Sequence, residues 1–130
     1  MILWIPGIPK ATQTGSVIRA KGRAFPVRRN TAWSSYVRLA IAQSGAELLD
    51  GPLVVSICFV LPDLASGKRA MPITRPDLDN LLKGLLDCGN GILWHDDAQI
   101  VDLIAVKRYA KHTVRQQPGV EITVRRRMAA

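Results

Sequence analysis

Leu53 to Leu61 reads LVVSICFVL, nine residues of which only Ser56 is polar, with Pro62 directly behind. The run is rich in β-branched residues and apolar on both faces, which predicts a central strand covered on both sides and stopped by Pro62. It falls about ten residues short of the ~20 that a bilayer crossing needs, so no membrane span is expected. The opening stretch, MILWIPGIPK, has no cationic leader region and is broken by Pro6 and Pro9, which argues against a secretory signal and for a cytosolic protein. A strand of this kind needs a core around it. With 130 residues, 48% of them hydrophobic, a chain can bury roughly two thirds of its unfolded surface without staples, so one domain over 1–130 is expected. Cys58 and Cys88 lack the spacing of a redox or zinc motif and read as reduced, buried, small apolar residues.

The flanking segments supply the rest of a small layered fold. Ile2 to Ile5 predicts a first strand ended by Pro6 and Gly7. Thr31 is placed to cap a helix running to about Ser44, with Trp33, Tyr36, Val37, Ala40 and Ile41 on one face at helical spacing. A second helix is expected from about Asp79 to Cys88, burying Leu81, Leu82, Leu85 and Leu86 and ending at Gly89, Asn90 and Gly91. Ile100 to Val106 reads as a strand, and Val120, Ile122 and Val124 alternate with polar residues in a last, half-exposed one. The predicted class is α/β or α+β: a small mixed sheet with two main helices in the order β-α-β-α-β-β.

Charge is segregated along the chain. The formal net charge is +8, which points first to a polyanionic partner. Residues 1–46 hold seven cations and no acid. Five of them, Arg19, Lys21, Arg23, Arg28 and Arg29, lie in an aperiodic stretch with Gly15, Gly22 and Pro26, so 11–30 is expected to be a long basic loop that tracks phosphates. Lys10 precedes it, and the loop-like stretch 64–76 brings Lys68, Arg69 and Arg75 toward the second helix. Residues 125–130 read as a basic tail that holds DNA arms or is merely solvated. Between these regions, 77–102 sets six aspartates against Lys83, a net −5. Carboxylates repel phosphates, so a divalent cation between them is the usual reason for such a patch beside a DNA-binding surface.

Within that window Asp77 and Asp79 sit two residues apart where an extended segment enters a helix, leaving the backbone on the same side. Lys83 lies one turn beyond Asp79, and Asp87 continues the same face. The same residues also fit helix capping by Asp77 or Asp79, with Asn80 in the first turn and a ladder of exposed i, i+4 pairs. Asp96 and Asp97 fit an Asx turn before a strand. Adjacent residues face opposite ways there, so one of the two can share a cleft with the pair. Three carboxylates from two segments suit Mg²⁺, a hard ion that prefers oxygen ligands.

The ordered set P-D-L-D-N-L-x-K (76–83), L-L-D (85–87), N-G-I-L-W (90–94) and D-D-A-Q-I (96–100) resembles the RusA family of Holliday-junction resolvases, small dimeric endonucleases of phage and prophage origin. The resemblance implies metal-binding carboxylates at Asp77, Asp79 and Asp97, with Mg²⁺ as cofactor and Mn²⁺ as a substitute, and a catalytic lysine at Lys83. It implies supporting roles for Asn80, Gln99, Asp96 and Asp87. Pro76 stands where some members carry Arg, and His95 where an apolar residue is common.

The expected activity is metal-dependent, structure-selective cutting of branched DNA, foremost four-way junctions, in recombination and repair. A symmetric homodimer supplies two matched nicks, and Lys10, Arg19, Lys21, Arg23, Arg28, Arg29, Arg69 and Arg75 are the expected DNA contacts. The alternatives are a non-catalytic basic DNA-binding protein, whose aspartates only cap helices, and a metal-dependent nuclease for other branched DNA.

Overall fold

Alternation along the strands decides which face of the sheet is dry. In β4 (Leu53–Leu61) Leu53, Val55, Ile57 and Phe59 are buried, whereas Val54, Ser56 and Cys58 between them are half-buried. β6 (Gly119–Arg126) runs antiparallel to β4 and sets Val124, Ile122 and Val120 opposite Val55, Ile57 and Phe59. β1 (Ile2–Pro6) extends the layer, pairing Leu3 with Ile122 and Ile5 with Val120. β5 (Ile100–Tyr109) lies parallel to β4 on the other side, so the order across the sheet is β1-β6-β4-β5. An irregularity where Leu53 and Val54 meet Ile100 and Asp102 leaves Val101 out of register and exposed.

The computed structural model describes residues 1–11, 16–20, 22–27 and 31–128, with the backbone alone for 16–20, 24–27 and Thr31. Two helices close the dry face. α1 (Thr31–Gln43) contributes Val37 and Ile41, and α2 (Leu78–Gly89) contributes Leu81, Leu85 and Cys88, to one core shared with the buried strand residues. Each follows the 3.6-residue repeat of an amphipathic helix. The expectation that β4 is covered on both sides needs correction. Among the described residues no helix lies over the other face, where Glu121, Thr123 and Arg125 of β6 stand beside Ser56 and Cys58, polar and small side chains that tolerate water. Of the two cysteines, both unpaired with each other, Cys88 is buried and Cys58 only half-buried. Burial pushes both thiols up, which leaves them in the unreactive protonated form.

The predicted order of strands and helices holds for the main sheet, with one addition between β1 and α1. Within the stretch expected as an aperiodic basic loop, β2 (Ser16–Ala20) and β3 (Arg23–Val27) pair antiparallel as a separate two-stranded ribbon. Gly22 and Pro26 disguised it in the sequence. Gly22, at φ +73°, belongs to a turn, and a proline is tolerated in a two-stranded ribbon because each strand keeps one open edge. At the other terminus Arg125 and Arg126 belong to β6, and Arg127 pairs with Asp102 at 2.8 Å, so the first half of the expected basic tail is tied to the sheet.

Candidate active site

α2 carries acidic residues at both of its ends, and different devices hold the two ends. At the N-terminal end, Lys107 of β5 donates to the carbonyls of Thr74 (3.1 Å) and Pro76 (3.0 Å), fixing the approach to the helix against the sheet. Asp77 occupies the N-cap position with extended backbone (φ −71°, ψ 141°), and its carbonyl accepts from the Leu81 amide at 3.1 Å. Its carboxylate makes no capping hydrogen bond. The aspartate therefore occupies a capping position without the capping contact, which weighs against capping as its main role. Asp79 in the first turn accepts from the Asn80 amide at 3.0 Å. Both aspartates are exposed, as is Lys83 one turn further along.

The C-terminal end is a knot of side-chain hydrogen bonds. Arg38 of α1 reaches the last carbonyls of α2, those of Asp87 and Cys88, and that of Asn90, each at 3.4 Å, a cation at the negative end of the helix dipole. Gly91, at φ +80°, then turns the chain so that Trp94 folds back under Gly89. The Asn90 side-chain oxygen accepts from the Trp94 indole at 2.8 Å and from the Asp97 amide at 2.9 Å. Gln99 completes the knot. Its oxygen accepts from the amides of His95 (2.7 Å) and Asp96 (3.1 Å), while its nitrogen donates to the carbonyls of Leu49 and Gly51, both at 3.0 Å.

The two adjacent aspartates in this knot differ in employment. Asp96 caps the short 3-10 turn Asp97–Gln99, accepting from the Ala98 amide at 2.9 Å in a capping box completed by Gln99. That amide, and then a hydrogen bond shared with Asp97, hold its carboxyl below the ordinary range. Asp97 is pushed above the ordinary range by the bond shared with Asp96, by partial desolvation, and by the charges of Asp96 and Asp87. One acid thus holds the turn together, while its neighbour is fixed by its backbone among like charges that a cation would relieve.

Asp79 and Asn90 are eleven residues apart, which over a helix at 1.5 Å per residue puts the two acidic ends about 16 Å from each other. Asp97 is anchored at the far end through Asn90. The expectation that one of the Asp96–Asp97 pair shares a cleft with Asp77 and Asp79 is therefore not met inside a single chain, because α2 separates them. Among the described residues no three His, Cys, Asp or Glu side chains converge on a metal-sized site. The single chain instead presents two separate acidic patches, one at each end of α2, both with hard oxygen donors of the kind that suit a divalent cation.

His95 Nε2 lies against the Asp50 carboxylate, which accounts for it as an exposed polar contact at the turn. Gln99, expected to orient ligands, acts on the backbone of the turn that presents Asp97. Lys10, Arg23 and Arg75 are exposed and Arg69 is half-buried beside Thr74. Arg19 lies in β2, with only its backbone described, and Lys21, Arg28 and Arg29 lie outside the described residues. The sequence missed Asn90, Arg38 and Lys107 as positioning residues. Asn90 had a signal: an asparagine between two glycines, four residues before a tryptophan whose indole needs a partner once buried.

An uncharacterized protein YqaN of Bacillus subtilis (strain 168) is 27% identical to this chain over 124 residues, covering 85% of this chain and 84% of the relative. The family model described as Endodeoxyribonuclease RusA matches residues 6–125, from the end of β1 through both acidic ends of α2 to the last strand. Since that match takes in nearly the whole chain and the acidic residues at both ends of α2, the chain belongs to the RusA family of endodeoxyribonucleases.

Proposed function

We propose that the protein resolves four-way DNA junctions by paired nicks, acting as a symmetric homodimer with a divalent cation, magnesium or manganese in its place. The observation that carries this proposal is the separation of the acids along one helix. A two-fold axis perpendicular to α2 sends its N-terminal end to the C-terminal end of its mate. Two copies related in this way bring Asp77 and Asp79 of one protomer toward the Asp97 of the other, and do so twice. Each dimer then has two equivalent sites, which matches the two strands that a junction needs cut. The edge beside α2 supports such a pairing: β5 is the last strand of the sheet and exposes Val101, Leu103 and Ile104.

In this arrangement Asp77 and Asp79 of one protomer with Asp97 of its mate would hold the cation, which would supply polarisation of the phosphodiester and a hydroxide near neutral pH. The remaining work falls to the chain itself. Lys83, on the exposed face between the two acidic ends, offers a point charge to the oxygen that departs. Asn90 and Gln99 keep the Asp97 turn in place, and Lys107 holds the other half. Lys10, Arg23, Arg69 and Arg75, together with the other cations of the 11–30 region, neutralise phosphates of the arms.

Mixing two inactive variants tests the proposal. Asp77→Asn and Asp97→Asn should each lower junction cleavage in Mg²⁺ by roughly 100-fold or more while the junction stays bound. When the two proteins are mixed and allowed to exchange subunits, one site of each mixed dimer regains Asp77, Asp79 and Asp97, and nicking of single strands should return. If each chain carries its own complete site, both sites of a mixed dimer remain damaged and no activity returns. Wild-type protein that shifts a junction in a gel but never nicks it in Mg²⁺ or Mn²⁺ would mean a non-catalytic binder. Equal cutting of junction, fork and plain duplex would remove the selectivity for four-way DNA.

A further inference from the structure

Exposed apolar side chains scattered singly over a protein need no account, but two at one tip beside a candidate site do. Met71 is 51% exposed and Ile73 77%, and both lie in the stretch 64–76 that leads from β4 to Asp77. Pro72 between them is buried, and the Ile73 amide donates to the Met71 carbonyl at 3.0 Å. This three-residue turn anchors its middle in the protein and leaves both flanks in solvent. The next residue is held twice: the Thr74 carbonyl accepts from Lys107 at 3.1 Å, and its hydroxyl accepts from Arg69 at 3.5 Å. The tip is therefore braced, apolar and outward-facing. Lys68, Arg69 and Arg75 flank it, and residues 64–76 contain no acid.

We propose that Met71 and Ile73 form a wedge that enters the base stack at the crossover of the junction and holds it open, while the flanking cations take the phosphates on either side. The inference rests on the endonuclease function proposed above and adds to it a device for recognising the branch. Cations alone bind duplex and branched DNA alike, because phosphates line both. Apolar side chains set between cations suit the one apolar part of DNA, the faces of its bases, and Ile and Met are among the side chains that wedge between base steps. A wedge also discriminates by structure, since unstacking costs least where stacking is already interrupted, as at a crossover. Ile73 precedes Asp77 by four residues, which an extended chain spans in at most about 14 Å, or about four base pairs of duplex. The opened step therefore lies close to the phosphate presented to the acids.

The test compares full-length wild type with the double variant Met71→Ser, Ile73→Ser on synthetic four-way junctions carrying 2-aminopurine, which brightens on unstacking, beside the crossover. In EDTA at saturating protein the wild type should raise the fluorescence several-fold, and the double variant should not, although it still saturates the junction. In Mg²⁺ the double variant should cut the intact junction at least about tenfold more slowly. It should regain the wild-type rate on a junction whose crossover pairs are mismatched and so already open. Val114→Ser, at a fully exposed valine in the loop before β6, controls for loss of surface apolar area and should behave as wild type. Equal melting temperatures establish that both variants fold. A wild type that cuts without brightening, or a double variant that brightens and cuts as the wild type does, overturns the wedge and leaves the endonuclease proposal standing. So does a cleavage defect that the mismatched junction fails to repair, which assigns the loop to holding the acids. Loss of the dimer in sedimentation of the double variant also overturns it and assigns Met71 and Ile73 to contacts between copies. Wild-type protein that neither brightens nor cuts any junction overturns both proposals.

Discussion

The two ends of α2 present the same side chain by opposite means. At the N-terminal end the aspartates rest on little beyond the start of a helix: Asp77 caps nothing with its carboxylate, Asp79 touches the next amide, and the nearest external hold is Lys107 on the carbonyls before them. At the C-terminal end Asp97 sits in a turn cross-linked by Asn90, Gln99, Asp96 and a buried tryptophan. A helix N-terminus is already an electropositive, well-defined platform for anions, so two carboxylates there need little more. A helix C-terminus repels them. To keep Asp96 and Asp97 beside the negative end of the dipole the chain adds the Arg38 guanidinium and a dense set of hydrogen bonds. Stability should therefore respond strongly to substitution at one end and weakly at the other.

The largest expected effect is at Gly89. A Cβ there would lie 2.4 Å from the Trp94 ring, and Trp94, 1% exposed with its indole held by Asn90, has nowhere to move. Overpacking usually costs 1–3 kcal/mol, and with the ring so confined Gly89→Ala should cost about 3 kcal/mol in urea unfolding. A cost under about 1 kcal/mol would show that the tryptophan is free to shift, and the C-terminal end would lose its claim to rigidity. Gln99→Ala comes next. It removes four hydrogen bonds, two of them to carbonyls of the 49–51 segment, and should cost about 2 kcal/mol. Junction cleavage should fall with it, because the turn that presents Asp97 loses its brace.

Local signals made one half of this site readable in the sequence. P-D-L-D-N before a leucine repeat is a helix start with surplus carboxylates, and periodicity with Pro, Gly and capping signals placed the four strands of the main sheet and both helices to within a few residues. The C-terminal half depends on contacts between positions far apart in sequence, such as Gln99 with Leu49 and Gly51, or Arg38 with Asp87, which no local pattern encodes. For the same reason spacing suggested that one of Asp96 and Asp97 could share a cleft with Asp77 and Asp79. The separation follows from the direction of β5, which runs back along α2 and pins Lys107 near Pro76 while Asp97 stays beside Asn90. The ribbon of β2 and β3 escaped notice because Gly22 and Pro26 carry loop chemistry in a two-stranded element that tolerates both.

The smallest effect separates the two ends by sign. Asp77→Asn removes an exposed carboxylate with no capping bond, and stability should change by no more than about 0.5 kcal/mol. Asp97→Asn removes a carboxyl whose charged form is disfavoured by the bond shared with Asp96, by partial desolvation and by the charges of Asp96 and Asp87. The fold raises the pKa of Asp97, so the native state holds that proton more tightly than the unfolded chain. Its contribution is favourable in acid and is lost as pH rises through the raised value. At neutral pH the variant, without that charge, should be the more stable protein by a few tenths of a kcal/mol, a gain kept small by solvent screening. Toward acid, where the wild-type Asp97 becomes neutral, the difference should close. Urea melts of the two variants and the wild type across the carboxylate range, in metal-free buffer, measure this directly. A stabilisation that appears at Asp77 instead, or one at Asp97 that grows in acid, would mean that the crowded charge lies at the other end of the helix.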